Sequence, residues 1–194
     1  MIAGTARGRP LRAAADIRPT ADLIKGSIFS MLEALAYKRG FEPDEEGALA
    51  AALAWPRVLD LFAGSGALGI EALSRGVQHA TFVEHDRAST RIIDANLRAT
   101  GLTDHALVQI GPVHLVLPRL RGPFDLVFAD PPYGDNGALQ HTVALLTRGG
   151  LLTPDSVVVL EQPSAEEPPA EIGPLPCAST RRHGRTRVSL FAGW

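Results

Sequence analysis

The stretch that most constrains this chain runs from Arg57 to Gly69 and is typical of a strand, a tight loop and the start of a helix. Val58 to Leu61 is a short, mostly apolar run that carries the acid Asp60, which indicates a buried strand. Glycines at positions 64, 66 and 69 then match the G-x-G-x-x-G spacing, which allows close backbone approach to a ligand and close packing of helix on strand. An α/β protein can also need such a turn for packing alone.

Two further strands end in acids. Thr81 to Glu84 is an apolar run closed by a carboxylate, and Phe124 to Ala129 leads directly into Asp130. Because the carboxyl ends of parallel strands lie at one edge of a sheet, we expect Asp60, Glu84 and Asp130 to line one crevice.

Strands and helices alternate along the chain, which predicts an α/β fold with a Rossmann-like, doubly wound sheet. The periodicity predicts helices over 20–39, 67–75, 87–100 and 139–146, and strands over 58–61, 80–84, near 106–110, 124–129 and 156–161. We expect one domain over 1–194, with a basic arm or hairpin in 1–19, a helix in 20–39 and the core in 57–194. Residues 177–182 and 187–191 predict a closing antiparallel hairpin.

Two segments carry no chemistry that we could assign. Residues 40–56 are acidic and then alanine-rich, and we interpret them as a surface insertion with one short helix. Residues 163–176 hold five prolines and three glutamates, which predicts a stiff, exposed connection.

The net charge of −2 conceals an asymmetry between the ends and the middle of the chain. Residues 1–25 carry a net charge of +3 and residues 177–194 carry four arginines and no acid, so the middle carries −9. Basic ends on an acidic body are compatible with binding of a polyanion through the ends, and equally with solubilising tails.

Composition excludes several other classes of protein. Cys177 is the single cysteine, so a disulfide framework and a cysteine-based metal site are excluded. No apolar run approaches the ~18 residues that a membrane span needs. Met1 is not followed by a signal segment. We therefore expect a cytoplasmic protein. No histidine cluster has the spacing of metal ligands, so we also expect no metal, and we expect a monomer.

Taken together, these motifs resemble class I S-adenosylmethionine-dependent methyltransferases. More narrowly, the chain resembles the RsmD-like family, which methylates the N2 amine of one guanine in 16S ribosomal RNA. The matching segments are Ile2-Ala3-Gly4 with Arg7-Gly8-Arg9, Arg18-Pro19-Thr20, Asp60 to Glu71 with Leu73 to Gly76, Phe82-Val83-Glu84, and Asp130-Pro131-Pro132-Tyr133. The last motif alone is shared by several amino-methylating families.

The resemblance implies roles for several residues. Cofactor contacts fall on Asp60, Phe62, Gly64, Ser65, Gly66, Glu84, Val113 and Asp130. Asp60 would serve the amino-acid end of S-adenosylmethionine and Glu84 its ribose hydroxyls. Asp130 and the carbonyl of Pro131 would accept the two amino hydrogens of the acceptor base, and Tyr133 would stack on that base.

The expected partner is ribosomal RNA, in the small ribosomal subunit or an assembly intermediate of it. Contacts are expected from Arg7, Arg9, Arg18, Thr20, Tyr133 and Arg185, with further phosphate contacts from Arg12, Arg182 and Arg187. The helix over 20–39 would pack across the cofactor cleft.

The chain departs from its relatives at two positions. Pro112 stands where the third strand is commonly followed by an acid or amide that meets the adenine amino group. Adenine recognition would therefore depend on apolar packing and on backbone groups, for which Val113 is the candidate. His183 stands where a tyrosine is common.

Three alternatives stay open at the level of the residues. The glycines and Glu84 are also compatible with an NAD-dependent oxidoreductase, although Asp60 would lie close to a pyrophosphate. A non-catalytic RNA-binding relative is a second alternative. Within methyltransferases, adenine N6, cytosine N4 or a protein glutamine are further acceptors.

Overall fold

The computed structural model describes residues 1–12, 20–44, 49–132, 136–148 and 150–193. The helices are α1 (Thr20–Lys38), α2 (Ala50–Ala54), α3 (Ala67–Ser74), α4 (Arg87–Thr100), α5 (Val113–Val116) and α6 (Asn136–Arg148). The strands are β1 (Arg57–Leu61), β2 (His79–Glu84), β3 (Ala106–Ile110), β4 (Leu126–Ala129), β5 (Val157–Pro163), β6 (Glu171–Ile172), β7 (Leu175–His183) and β8 (Thr186–Ala192).

One eight-stranded sheet organises the molecule, in the order β3-β2-β1-β4-β5-β8-β7-β6. The first five strands in this order are parallel, and β8, β7 and β6 add to them in antiparallel pairs. The predicted doubly wound sheet with a C-terminal antiparallel hairpin is therefore confirmed.

Two apolar cores cover the two faces of the sheet, because alternate residues of each strand point to opposite sides. Phe128 of β4 belongs to the core formed with helices α1 to α4, whereas Val127 belongs to the core under α5 and α6. Within the first core, the ring of Phe29 on α1 lies 5.9 Å from that of Phe128, which ties the helix to the middle of the sheet.

The insertion over 40–56 is more deeply packed than predicted. Its short helix is confirmed as α2, but three of its alanines are buried, and Trp55 after it is 1% exposed. The indole N–H of Trp55 donates to the carbonyl of Asp155 at 3.3 Å. The described part of this segment therefore belongs to the core, since alanine lets α2 lie close against α1.

The prediction of a wholly exposed connection over 163–176 is wrong. Ile172 and Leu175 are both buried in the second core, at 1% and 0% exposure, and they pair across a turn with Gly173 at φ +59°. The prolines suggested a stiff spacer, but burial of this apolar pair folds the segment into β6 and the start of β7.

Residues 1–12 form an arm of turns, and no strand is assigned within these residues. The N–H groups of Ile2 and Ala3 both donate to the Glu71 carboxylate at 2.9 Å. A Cβ on Gly4, at φ +76°, would lie 1.6 Å from the carbonyl oxygen of Ser74. Only glycine therefore allows the arm this close approach to α3.

Candidate active site

Three carboxylates lie at the carboxyl-terminal edge of the parallel strands, as the sequence predicted. Strand β1 lies between β2 and β4, and Leu61 is level with Val83 on one side and Ala129 on the other. Glu84 and Asp130 each follow one residue later, and Asp60 lies one residue earlier on the central strand. The register therefore brings all three to one edge.

Glu84 shapes the glycine loop from the strand side. Its two carboxylate oxygens accept hydrogen bonds at 2.8 Å, one from the N–H of Gly64 and one from the N–H of Asp86. The His85 ring nitrogen lies 3.0 Å from it. A carboxylate has about four acceptor positions, so the predicted binding of ribose hydroxyls stays a prediction beside this observed role.

Asp60 is buried at 3% exposure and accepts the N–H of Gly69, in the first turn of α3, at 2.9 Å. Burial raises the pKa of Asp60 to about 8, the Gly69 hydrogen bond opposes the rise, and the charges of Asp130 and Glu84 add to it. A cation placed beside this carboxyl would favour its ionised form.

The loop between β1 and α3 has unusual backbone geometry. Phe62 has φ +57°, a rare conformation for a residue with a side chain, and Gly64 and Gly66 have φ +56° and +76°. A Cβ on Gly69 would lie 2.4 Å from the ring of Phe82, so this glycine brings α3 close to the sheet. Strained backbone of this kind is concentrated at binding sites.

The segment after β4 is described only in part. Asp130 is exposed at the end of the strand, Pro131 is buried and Pro132 is exposed. Tyr133, predicted to stack on the acceptor base, lies outside the described residues, as does Arg18. Thr20 begins α1, but its side chain is also outside what is described.

The turn after β3 fixes the position of Val113, which was predicted to contact the cofactor. The N–H of Gly111 donates to the carbonyl of Glu84 at 2.9 Å, which ties this turn to the end of β2. Pro112 then precedes α5, and the side chain of Val113 is 6% exposed in the second core. The Val113 side chain is therefore packed mainly against the protein, and the predicted contact of Val113 with adenine stays a prediction.

The residues predicted to contact RNA differ in their exposure to solvent. Arg7, Arg9, Arg12 and Arg185 are exposed. The guanidinium of Arg9 donates to the carbonyl of Ala99, near the end of α4, at 2.7 Å. These positions leave the two basic ends accessible to a polyanion.

The prediction for Arg187 is wrong. This residue is 6% exposed, and its guanidinium donates to both carboxylate oxygens of Glu167 and to the carbonyl of Ser164. Strand β8 is buried along its whole length, so a guanidinium that begins there needs hydrogen-bond partners within the chain. Arg187 is therefore a structural residue rather than a phosphate contact.

His183 also has a partner within the chain. Its Nε2 lies 3.0 Å from the hydroxyl of Ser27 on α1, and the Arg181 guanidinium lies 3.4 Å from the same oxygen. The hairpin therefore contacts the helix that was expected to cross the cleft.

Glu71 and Asn96 connect elements around the site, and the sequence did not single out either residue. Glu71, fully buried on α3, lies 3.0 Å from the Arg75 guanidinium and 3.8 Å from the Lys25 ammonium. Asn96, 1% exposed on α4, bonds to Arg12 and Ser65. The sequence did contain an indication that Asn96 is special. The helical periodicity of α4 predicts an apolar residue at this buried position, and an amide occupies it instead.

Other kinds of site are not observed in the part of the chain that is described. There, no group of three or more His, Cys, Asp or Glu side chains is placed so that it could hold one metal ion. None of the helices assigned above has both the length and the apolar character that crossing a bilayer requires.

Comparison with known proteins decides the family. A family model described as Conserved hypothetical protein 95 matches residues 1–192. The chain belongs to this family. It is 35% identical to the putative rRNA methyltransferase YlbH of Bacillus subtilis over 197 residues, which cover 98% of this chain and 97% of that protein.

Other relatives of the family agree. Ribosomal RNA small subunit methyltransferase D of Escherichia coli K12 is 34% identical over 163 residues, 83% of this chain and 73% of that protein. The solved structure of putative methyltransferase yhhF from Escherichia coli superposes with a TM-score of 0.77 at 30% identity, covering 100% and 98% of the two chains. The resemblance to the RsmD-like family and the fold class are both confirmed.

Proposed function

We propose that this protein transfers a methyl group from S-adenosylmethionine to the N2 amine of a guanine in small-subunit ribosomal RNA. The observation that carries the proposal is the edge at which the glycine loop and three carboxylates meet, in a chain that matches rRNA methyltransferases along most of its length. None of the observations favours an NAD-dependent oxidoreductase.

The residues at this edge fit the proposed cofactor. Gly64 and Gly66 leave backbone without side chains next to the carboxylates, and Glu84 retains acceptor capacity for hydroxyl groups. The raised pKa of Asp60 marks a buried acid that a cationic ligand would stabilise in its charged form. S-adenosylmethionine, when bound, supplies an electrophilic methyl group on a positively charged sulfur.

Asp130 and Pro131 would orient the acceptor amine. The lone pair of guanine N2 is delocalised into the ring, so the site must align the amine rather than only bind it. Asp130 is exposed at the cleft edge and would accept one amino hydrogen, while the carbonyl of Pro131, a residue held extended before Pro132, would accept the other. Tyr133 would stack on the base.

The RNA would be held by the two basic ends. Arg7, Arg9 and Arg12 would contact phosphates from the arm and Arg185 from the hairpin turn, with Arg18 and Thr20 bordering the cleft. Because the body between these ends is acidic, we infer that the substrate is a small ribosomal subunit or an assembly intermediate rather than a short oligonucleotide. We further propose that the enzyme is a cytoplasmic monomer.

The decisive experiment is transfer of a tritiated methyl group to small ribosomal subunits that lack the modification, followed by nucleoside analysis. We expect label in N2-methylguanosine, and none with Asp130→Ala, whose fold can be checked by circular dichroism. Label in N6-methyladenosine or N4-methylcytidine would reassign the acceptor. Full activity of Asp130→Ala would show that residues other than Asp130 align the acceptor amine.

A further inference from the structure

Asn96 lies where the N-terminal arm, α4 and the glycine loop meet. Its carboxamide oxygen accepts the N–H of Arg12 at 2.7 Å, and its nitrogen donates to the carbonyls of Arg12 and Ser65, both at 2.9 Å. A flipped carboxamide would place N–H against N–H and oxygen against two carbonyls. The partners therefore fix its orientation and use both of its amide hydrogens.

The loop is held by side chains of two different elements, Glu84 of β2 and Asn96 of α4. The N–H of Gly64 donates to Glu84, and the carbonyl of Ser65 accepts from Asn96. The N–H of Gly66 closes the turn on the carbonyl of Ala63 at 2.7 Å. A displacement of the Asn96 carboxamide would therefore turn the Ser65–Gly66 peptide, which the proposed function places against the cofactor.

The arm is fixed on both sides of its exposed arginines. Upstream, the N–H of Ala6 donates to the hydroxyl of Ser74 at 3.0 Å, which holds the first residues on α3. Downstream, Arg12 pairs with Asn96 through two hydrogen bonds. Phosphates that bind Arg7 and Arg9 would act on the segment between these attachments, and Asn96 is the attachment that also contacts the loop.

We propose that Asn96 is a positioning residue that couples binding of structured RNA on the arm to the geometry of the cofactor loop, so that each ligand raises the affinity for the other. This inference rests on the proposed function, which assigns RNA to the arm and the cofactor to the loop. Coupling of this kind is reciprocal and is typically about 5-fold or more.

The experiment measures the affinity for radiolabelled S-adenosylhomocysteine with and without saturating small ribosomal subunits that lack the modification. In the wild type we expect the subunits to raise this affinity about fivefold or more. Asn96→Asp keeps the size of the side chain and one acceptor but removes both donated hydrogen bonds, so the ratio should fall below about twofold. Thr100→Val is the matched control. Within the described residues the Thr100 hydroxyl bonds to the backbone carbonyls of Asn96 and Leu97 on α4 and to neither the arm nor the loop.

A second pair of variants tests the link from the arm, which covers the case that Asn96→Asp does not fold. Arg12→Pro removes the N–H that Asn96 accepts, and Arg12→Ala removes the same charge but keeps that N–H. Both variants lose the proposed phosphate contact of Arg12. At subunit concentrations that saturate each variant, we therefore expect a ratio below about twofold in Arg12→Pro and a clearly higher ratio in Arg12→Ala. A wild-type ratio in Asn96→Asp or Arg12→Pro would overturn the inference, as would equal loss in Thr100→Val.

The outcomes also separate this inference from the function on which it rests. A wild type that binds neither S-adenosylhomocysteine nor the subunits would refute the proposed function. A wild type that binds both ligands independently, with a ratio near one, would refute only the coupling.

Discussion

The two basic ends of the chain are both attached to the body by hydrogen bonds, but the groups that form these bonds differ. The C-terminal hairpin is built from β7 and β8, whose backbone ladder continues the central sheet through β5. Residues 1–12 of the N-terminal arm have no ladder. Their backbone bonds mainly to side chains of α3 and α4, namely Glu71, Ser74 and Asn96, with one backbone hydrogen bond from the N–H of Thr5 to the carbonyl of Ser74 at 2.7 Å.

This difference predicts how each end responds to substitution. Side-chain replacement leaves a backbone ladder largely in place, so changes in the hairpin should alter the surface that it presents more than its position. The arm depends on a few polar side chains, so a single replacement should loosen the part of the arm that this side chain holds. The arm is therefore the end whose position can be varied independently of the sheet.

Glu71→Gln should have the largest effect on stability. It removes the buried charge that Lys25 and Arg75 share, although Lys25 keeps Asp22 at 3.2 Å and Arg75 keeps Glu33 at 3.6 Å. We therefore expect a loss of about 3 kcal/mol in the free energy of unfolding, at the low end for a broken buried pair. Denaturant titration measures it.

Ser74→Ala is the control for Glu71→Gln, because it removes arm contacts without changing a charge. Its cost should be about 1–2 kcal/mol, as for one or two lost hydrogen bonds. Equal losses in the two variants would mean that the arm contacts, rather than the buried charges, dominate.

Gly4→Ala compared with Gly8→Ala isolates the close contact of the arm. Both glycines have positive φ, but a Cβ on Gly8 meets nothing within 4 Å. Gly8→Ala should therefore cost only the conformational strain, about 1 kcal/mol, whereas Gly4→Ala should also detach the arm from Ser74. Limited trypsin cleavage after Arg7 should accelerate in Gly4→Ala alone, and equal rates would show that the close contact is dispensable.

RNA affinity should respond more to the arm than to the hairpin turn. Replacing Arg7 and Arg9 with alanine should reduce the slope of log affinity against log salt by about 1.5, and Arg185→Ala by about 0.8. Cofactor affinity without RNA should be unchanged. A salt titration with small ribosomal subunits measures both slopes, and an unchanged slope in the double variant would remove the arm from the RNA interface.

The smallest effect is expected for Glu167→Gln in the hairpin region. Arg187 lowers the pKa of Glu167, so this pair stabilises the fold above the ordinary pKa of a glutamate and ceases to do so as the pH falls through the lowered value. Because the Glu167 side chain is 83% exposed, the contribution is small. The melting temperatures of wild type and variant should differ slightly at neutral pH and converge in acid.

The carboxylates at the edge of the sheet were predictable because the sequence patterns that indicate them are local. The strands that carry Asp60, Glu84 and Asp130 each show an apolar run followed by an acid, and parallel topology then brings the acids together. The glycine spacing indicated the loop for the same reason. These patterns need no knowledge of distant contacts.

The attachments of the arm were not predictable in this way. Glu71 and Ile2 are 69 residues apart, and Asn96 and Arg12 are 84 apart. A glutamate or an asparagine within a helix gives no indication of which distant backbone it will bind. The burial of Arg187 was also hidden, because β8 is covered on both faces and shows no polar alternation.

The position of β8 has a consequence for how the chain folds. This strand is the last of the described strands in the chain but lies sixth across the sheet, between β5 and β7. Until it is synthesised, one whole edge of β5 has unpaired backbone groups, and such an edge can pair with other chains. We therefore expect nascent or truncated chains that lack the hairpin to aggregate, and the complete chain to fold slowly, because its sheet closes through contacts distant in sequence.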